Sequence, residues 1–251
     1  MFRVPELQYA LAPDVNPMDP RHLVGMDERL KINACIYCGG DPSTRDHVPS
    51  KVFLDEPYPP GLPVVGACET CNVGFSLDEQ YLACFIECVI CGTDEPAGLR
   101  RLKIQRILAA NTELKRRICV SKRQQGDTLH WVPEADRVRN VFVKLARSHA
   151  VYELFPVFGD PDRFECAPLM LMQPQQRTEF ENGPLGAYAP WPEIGSRAFY
   201  RAAGVKVDAF AQSGDWIVVQ PDRYRFAVNE IGGVEVRIVL TEYLGCTVFW
   251  D

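Results

Sequence analysis

Two cysteine pairs, Cys35-Ile-Tyr-Cys38 and Cys68-Glu-Thr-Cys71, stand 29 residues apart, enclose the dipeptide Asp46-His47 and are followed directly by Asn72. Two C-x-x-C knuckles at this separation have the spacing of a structural zinc site, in which four thiolates close a tetrahedral shell and leave no position open. Such an ion would hold the frame, and any chemistry would fall to the acid, imidazole and amide held inside it. Two disulfides are the alternative reading of the same four residues. Zinc is favoured because no basic-then-apolar leader opens the sequence and the other six of the ten cysteines show no pairing pattern.

The stretch after the second knuckle reads as a helix. Ser76 and Glu79 form a capping box, and Leu77, Tyr81, Leu82, Phe85, Ile86 and Val89 recur at helical spacing up to Gly92. Cys84, Cys88 and Cys91 fall on this helix and are expected to be buried free thiols, with a second metal cluster as the alternative. His22, His130 and His149 have no partner recognisable in sequence.

Taken together, Cys35-Ile-Tyr-Cys38-Gly39-Gly40, Arg45-Asp46-His47-Val48-Pro49 and Ala67-Cys68-Glu69-Thr70-Cys71-Asn72 resemble the motif string of the HNH nucleases, over residues 35 to 91. The resemblance implies a ββα-metal core: a strand ending in the Asp-His pair, a loop and second strand, then a helix whose start supplies an Asn or His. It implies Asp46 and Asn72 as ligands of a catalytic Mg²⁺ or Mn²⁺, His47 as general base, and Cys35, Cys38, Cys68 and Cys71 as a zinc clasp. The implied activity is metal-dependent endonucleolytic cleavage of DNA, with a role in restriction or defence against foreign DNA. The middle Asn of the family pattern is Pro63 here. A zinc-stabilised module that binds nucleic acid without cutting is therefore a second reading, and a zinc-stapled protein-interaction module a third.

These residue types suit the implied chemistry. A neutral imidazole titrates near working pH and can take a proton from the attacking water. Neighbouring side chains on a strand point to opposite faces, so Asp46 and His47 can address an ion and a water separately. Oxygen ligands from Asp46 and Asn72 match a hard divalent cation, while the thiolates select zinc.

At 251 residues, 47% hydrophobic and 24% charged, the chain has the composition of a soluble protein, and its ten cysteines suit the reducing cytoplasm. No apolar run is long enough to span a membrane. Charge is unevenly spread. Leu99 to Arg123 holds nine Lys or Arg and one acid, a net +8, against −6 for the whole chain. A basic helix of this kind can neutralise phosphates while the remaining surface stays acidic. Arg100, Arg101, Lys103, Arg106, Lys115, Arg116 and Arg117, with Arg45 and Lys51 near the motif, are the expected contacts to double-stranded DNA, bound by one chain or a homodimer. A solvated helix face is the plain alternative.

The expected class is α+β, a zinc-stabilised ββα-metal nuclease module with a helical middle segment and an antiparallel β-rich C-terminal region. Residues 1–34 read as a Pro-rich arm ending in a short helix near Arg29 and Leu30, 35–92 as the HNH-like module, 93–154 as helical and 155–251 as β-rich, for recognition or regulation. One helix is expected from Leu99 through Asn111 towards Cys119, an extended segment at Thr128–Val132, and a helix at Pro133–Leu154. Strands are expected at Phe164–Met172, Arg197–Ala202, Trp216–Gln220, Tyr224–Val228, Val234–Thr241 and Tyr243–Trp250.

Overall fold

A computed structural model describes residues 33–125, 128–183, 192–193, 195–206, 211–230 and 232–251. The short helix expected near Arg29 and His22 lie outside the described residues. The first unit is an antiparallel hairpin of β1 (Thr44–His47) and β2 (Val64–Ala67), followed by the long helix α1 (Glu69–Cys91). The helix starts eight residues earlier than the Ser76-Glu79 box implies. Cys68 is its N-cap, its sulfur accepting from the Cys71 amide at 3.4 Å, so the second knuckle opens the helix and Ser76 lies inside it. It stops at Gly92, whose φ of 68° is the left-handed turn that a glycine adopts at least cost.

Beyond Gly92 the basic stretch forms two helices, α2 (Leu102–Ala110) and α3 (Thr112–Val120), not one. Asn111 makes the break, since its side chain accepts from the Leu114 amide and caps the second helix. The hairpin of β3 (Lys122–Gln125) and β4 (Thr128–Trp131) leads into α4 (Ala135–Glu153), close to the expected helix.

The C-terminal region is a six-stranded antiparallel sheet in the order β5-β10-β9-β8-β7-β6, from β5 (Arg163–Pro168), β6 (Ala211–Ser213), β7 (Trp216–Gln220), β8 (Tyr224–Glu230), β9 (Val234–Leu240) and β10 (Leu244–Trp250). Two helices sit in this region. One is α5 (Pro174–Asn182), begun by Pro174 with a Gln173-Gln176 capping box; the other is α6 (Arg197–Ala202), where a strand was expected. α6 is helical because Ser196 accepts from the Phe199 amide as N-cap and because Arg197 is fixed by Glu153 of α4.

One continuous core joins the parts. Phe53 and Leu54 from the β1-β2 connection, Tyr81, Leu82, Phe85 and Ile86 of α1, and Val141, Phe142 and Leu145 of α4 pack with Phe226, Val236, Ile238 and Val248 of the sheet. Each such side chain contributes roughly 1.5–3 kcal/mol by leaving water. The helix α4 lies between α1 and the sheet. A smaller cluster, including Leu169, Phe180 and Trp216, covers the opposite face of the sheet. Among the described residues no helix is long and apolar enough to cross a membrane.

Candidate metal centre and the Asp-His site

The first knuckle is a tight turn before β1. The Cys35 amide donates to Gly40 O at 2.7 Å and the Gly39 amide to Cys35 O at 2.8 Å, with Gly39 at φ 75°. The Ile36 amide donates to Gly66 O at 3.0 Å, which ties this turn to β2. The second knuckle is the first turn of α1, and the pairing of β1 with β2 brings the two together. The sulfurs of Cys35, Cys38, Cys68 and Cys71 all lie within 4.8 Å of one another, and Cys38 Sγ is 3.7 Å from Cys68 Sγ. Zinc with Zn–S bonds of about 2.3 Å separates its sulfurs by roughly 3.8 Å, so the four residues fit a closed tetrahedral site. Burial raises the Cys35 thiol, but hydrogen bonds from the backbone at Cys68, Tyr37 and Cys38 outweigh it and bring it down to about 7. The Cys71 thiol is pushed up by burial and then by its three neighbours, the situation a cation among the sulfurs would reverse.

On β1 the alternation is clear. Thr44 and Asp46 face inward, and Arg45 and His47 face the other way. Asp46 is 7% exposed, and two groups share one of its oxygens: Tyr37 Oη donates to its Oδ2 at 2.6 Å, and Lys144 Nζ, from α4, reaches the same oxygen at 2.6 Å. The same ammonium lies 2.7 Å from Glu79 Oε1 of α1 and 2.5 Å from Ser50 Oγ, while Ser50 also donates to Glu79. Glu79, expected to be an N-terminal capping acid, is instead buried opposite β1. Ser148 extends the cluster, 2.9 Å from Tyr37 Oη. Burial, and next the Asp46 charge, push the Tyr37 hydroxyl well up, so it stays protonated and keeps donating.

Asn72 sits on the first turn of α1, as the resemblance implies, but its amide donates to Thr44 Oγ1 at 3.1 Å. The helix therefore meets β1 with Asn72 against Thr44. Thr44 and Asp46 are two residues, roughly 7 Å, apart along the strand. The carboxylate of Asp46 and the amide of Asn72 thus hold different partners, and the residues present do not fit a shared divalent ion as they stand.

His47 is half-buried, and its ring has no hydrogen-bond partner among the described residues. Burial, then the ammonium groups of Lys51 and Lys144, hold its pKa below the ordinary imidazole value against an opposing pull from Asp46. Arg45, exposed on the same face, and Lys51 just beyond are the nearest cationic residues in sequence. The Val48 amide donates to Pro63 O at 2.8 Å, so the residue at the family's middle-Asn position serves through its backbone and fixes the chain just after His47.

The basic stretch is less available than its charge suggests. Arg101 is 5% exposed and bonded to Asp55 at 2.7 Å and to the carbonyls of Val52 and Leu54. Lys103 donates to Lys51 O and Tyr58 Oη, Lys115 pairs with Glu95, Arg116 with Glu113, and Arg117 with Glu113 and Glu134. Arg100 and Arg106 are exposed, with no acidic partner among the described residues. Arg101 is thus a structural strut, and the surface that remains open to an anion is much smaller than the run of nine.

Sequence reasoning passed over Lys144, Tyr37, Ser50 and Ser148, and over the neighbouring network in which Glu153 of α4 holds Arg197 at 2.6 Å. His149, also in that network, is fully buried, 2.7 Å from Tyr224 Oη and stacked on Phe226 at 3.7 Å. A signal was present: Lys144 lies three residues after Val141 and one before Leu145, on a stripe otherwise apolar, where a charge needs a buried partner. Cys84 and Cys88 are buried on α1, as expected for free thiols. No protein-family model, curated protein or solved structure matches the chain.

Proposed function

We propose that this chain is a zinc-clasped protein of the HNH type that hydrolyses phosphodiester bonds in DNA, with His47 as general base. The observation that carries the reading is the ββα arrangement itself, with one cysteine pair before the first strand and the other opening the helix, and His47 displayed beside it with no hydrogen-bond partner on its ring among the described residues. A neutral imidazole can accept the proton of an attacking water. Arg45 and Lys51 supply positive charge where a phosphate would approach that water, and Arg100 and Arg106 are exposed cations without an acidic partner among the described residues, available to the backbone beyond it. The reading assigns no step to an ion at Asp46, because that carboxylate already holds Lys144 and Tyr37.

This last observation favours a second reading, a module that binds nucleic acid without cutting it. Incubating supercoiled plasmid with the zinc-loaded protein, separately with Mg²⁺, with Mn²⁺ and with EDTA, distinguishes the two. The first reading expects relaxation that His47→Ala lowers by roughly two to four orders of magnitude while zinc content is kept. A retarded band in a gel shift without relaxation under any condition selects the second. Neither cutting nor binding overturns both.

A further inference from the structure

The cluster at Lys144 has a consequence independent of whether the chain cuts DNA. An ammonium has three N–H donors, and Lys144 meets three oxygens, those of Asp46, Glu79 and Ser50, at 2.6, 2.7 and 2.5 Å. It is therefore saturated. The three oxygens come from the end of β1, from the middle of α1 and from the turn after β1, while the lysine enters from α4. The side chains of Lys144, Asp46 and Glu79 are 1%, 9% and 11% exposed. Tyr37 and Ser148 close the cluster on the side of Asp46. A hydrated Mg²⁺ or Mn²⁺ keeps several waters and needs near-octahedral oxygen ligation, for which this closed, occupied space has no room.

We propose that Lys144 is the resident cation of the ββα unit: its ammonium fills the seat between Asp46 and Glu79, and no divalent ion binds there. Two buried carboxylates that could otherwise attract a cation are thus served by one that is covalently part of the chain. On this reading Asp46 organises β1 and α1 electrostatically and does not exchange ligands during any reaction.

The zinc-loaded full chain is titrated with MnCl₂, free Mn²⁺ being read by electron paramagnetic resonance. The parent is expected to show no saturable site that Asp46→Asn removes. Lys144→Ala, which vacates the space between two carboxylates, is expected to take up one Mn²⁺ per chain at least tenfold more tightly than the parent. One Mn²⁺ bound by the parent and lost in Asp46→Asn overturns the proposal, and so does a folded Lys144→Ala that gains no Mn²⁺. Should Lys144→Ala fail to fold, labelling the parent with an amine-acylating reagent decides. Lys144 protected with and without saturating Mn²⁺ supports the proposal, and Mn²⁺-induced labelling overturns it. None of these readouts involves nucleic acid, so failure here is distinct from failure of the nuclease reading.

Discussion

Replacing Lys144 with methionine keeps an unbranched chain of similar reach while removing the ammonium that Asp46, Glu79 and Ser50 share. Coulomb's law at an effective dielectric of about 20 gives roughly 6 kcal/mol for each carboxylate at contacts of 2.6 and 2.7 Å. Desolvation of the three groups offsets most of that in the parent. In the variant the desolvation of the two carboxylates stays and the attraction goes, a loss that amounts to roughly 3–5 kcal/mol when one partner of a buried pair is removed. For a chain of this length each kcal/mol lowers the midpoint by roughly 2–4 °C, so the melting temperature should fall by roughly 6–20 °C. Guanidinium unfolding of the zinc-loaded protein, followed by circular dichroism with zinc content checked, measures the difference. Adding Asp46→Asn and Glu79→Gln to the Lys144→Met variant should recover a large part of the loss, because neutral amides need no counter-charge. A cost below about 1 kcal/mol for Lys144→Met would refute the reasoning, since it would mean that the hydrogen bonds from Tyr37 and Ser50 suffice to compensate these acids without the ammonium.

Cys68→Ser should release zinc and disorder both the hairpin and the first turn of α1, because Cys68 is at once a clasp residue and the helix N-cap; elemental analysis finding no zinc in the parent would sink this. His149 is held well below the ordinary imidazole value by burial, and then by Arg197 and Lys144, so it is neutral in the fold. Its unfolded form gains a proton below about pH 6.5 and the folded form does not, so stability should be full above that pH and fall by about 1.4 kcal/mol per unit below it. His149→Gln should flatten this part of a stability-pH profile between pH 7 and 5. Arg101→Glu should unfold the protein through Asp55 and the carbonyls of Val52 and Leu54, whereas the double change Arg100→Glu and Arg106→Glu should leave the melting temperature alone. The double variant should also reduce the slope of log affinity for duplex DNA against log salt by up to roughly 2, at about 0.9 per lost phosphate contact; an unchanged slope would remove these arginines from the interface.

Elements whose pattern is local were legible in the sequence. The α4 stripe, the four C-terminal strands and the apolar run of α1 are set by periodicity, and the structure has them within a few residues. What escaped was decided by single side-chain contacts, two of them within one turn and one from far away in the chain. The start of α1 belongs to Cys68, a cap that the side-chain rules for Ser, Thr, Asp and Asn overlook, and the knuckle spacing supplied the clue. Arg197 to Ala202 has the aromatic and apolar content of a short strand, yet Glu153, 44 residues earlier, accepts from Arg197 Nε and from the Ala198 amide and fixes the segment as the first turn of a helix. A single helix through Asn111 was reasonable on hydrophobic spacing, and the asparagine side chain overrode it by capping the next turn.

The site divides along the same line. Cysteine spacing foretold the cluster because C-x-x-C geometry is local and the hairpin register does the rest. The roles of Asp46 and of the basic run depended on which opposite charge arrives from elsewhere, and net charge along a sequence carries no information about that. Nine cations in 25 residues look like a surface for phosphate, but Arg101 meets Asp55, Lys115 meets Glu95 and Arg117 meets Glu134, while Arg116 pairs with Glu113 on its own helix, so several of those charges are neutralised before any ligand comes. Likewise Asp46 looks like an ion ligand until Lys144 is seen entering from a helix 98 residues on. In both places one acid-base pairing, invisible in the local sequence, separates a group that holds the fold from one that is free to meet a substrate. By that criterion His47, Arg45, Lys51, Arg100 and Arg106 are among the described residues left open, and the functional reading stands on them.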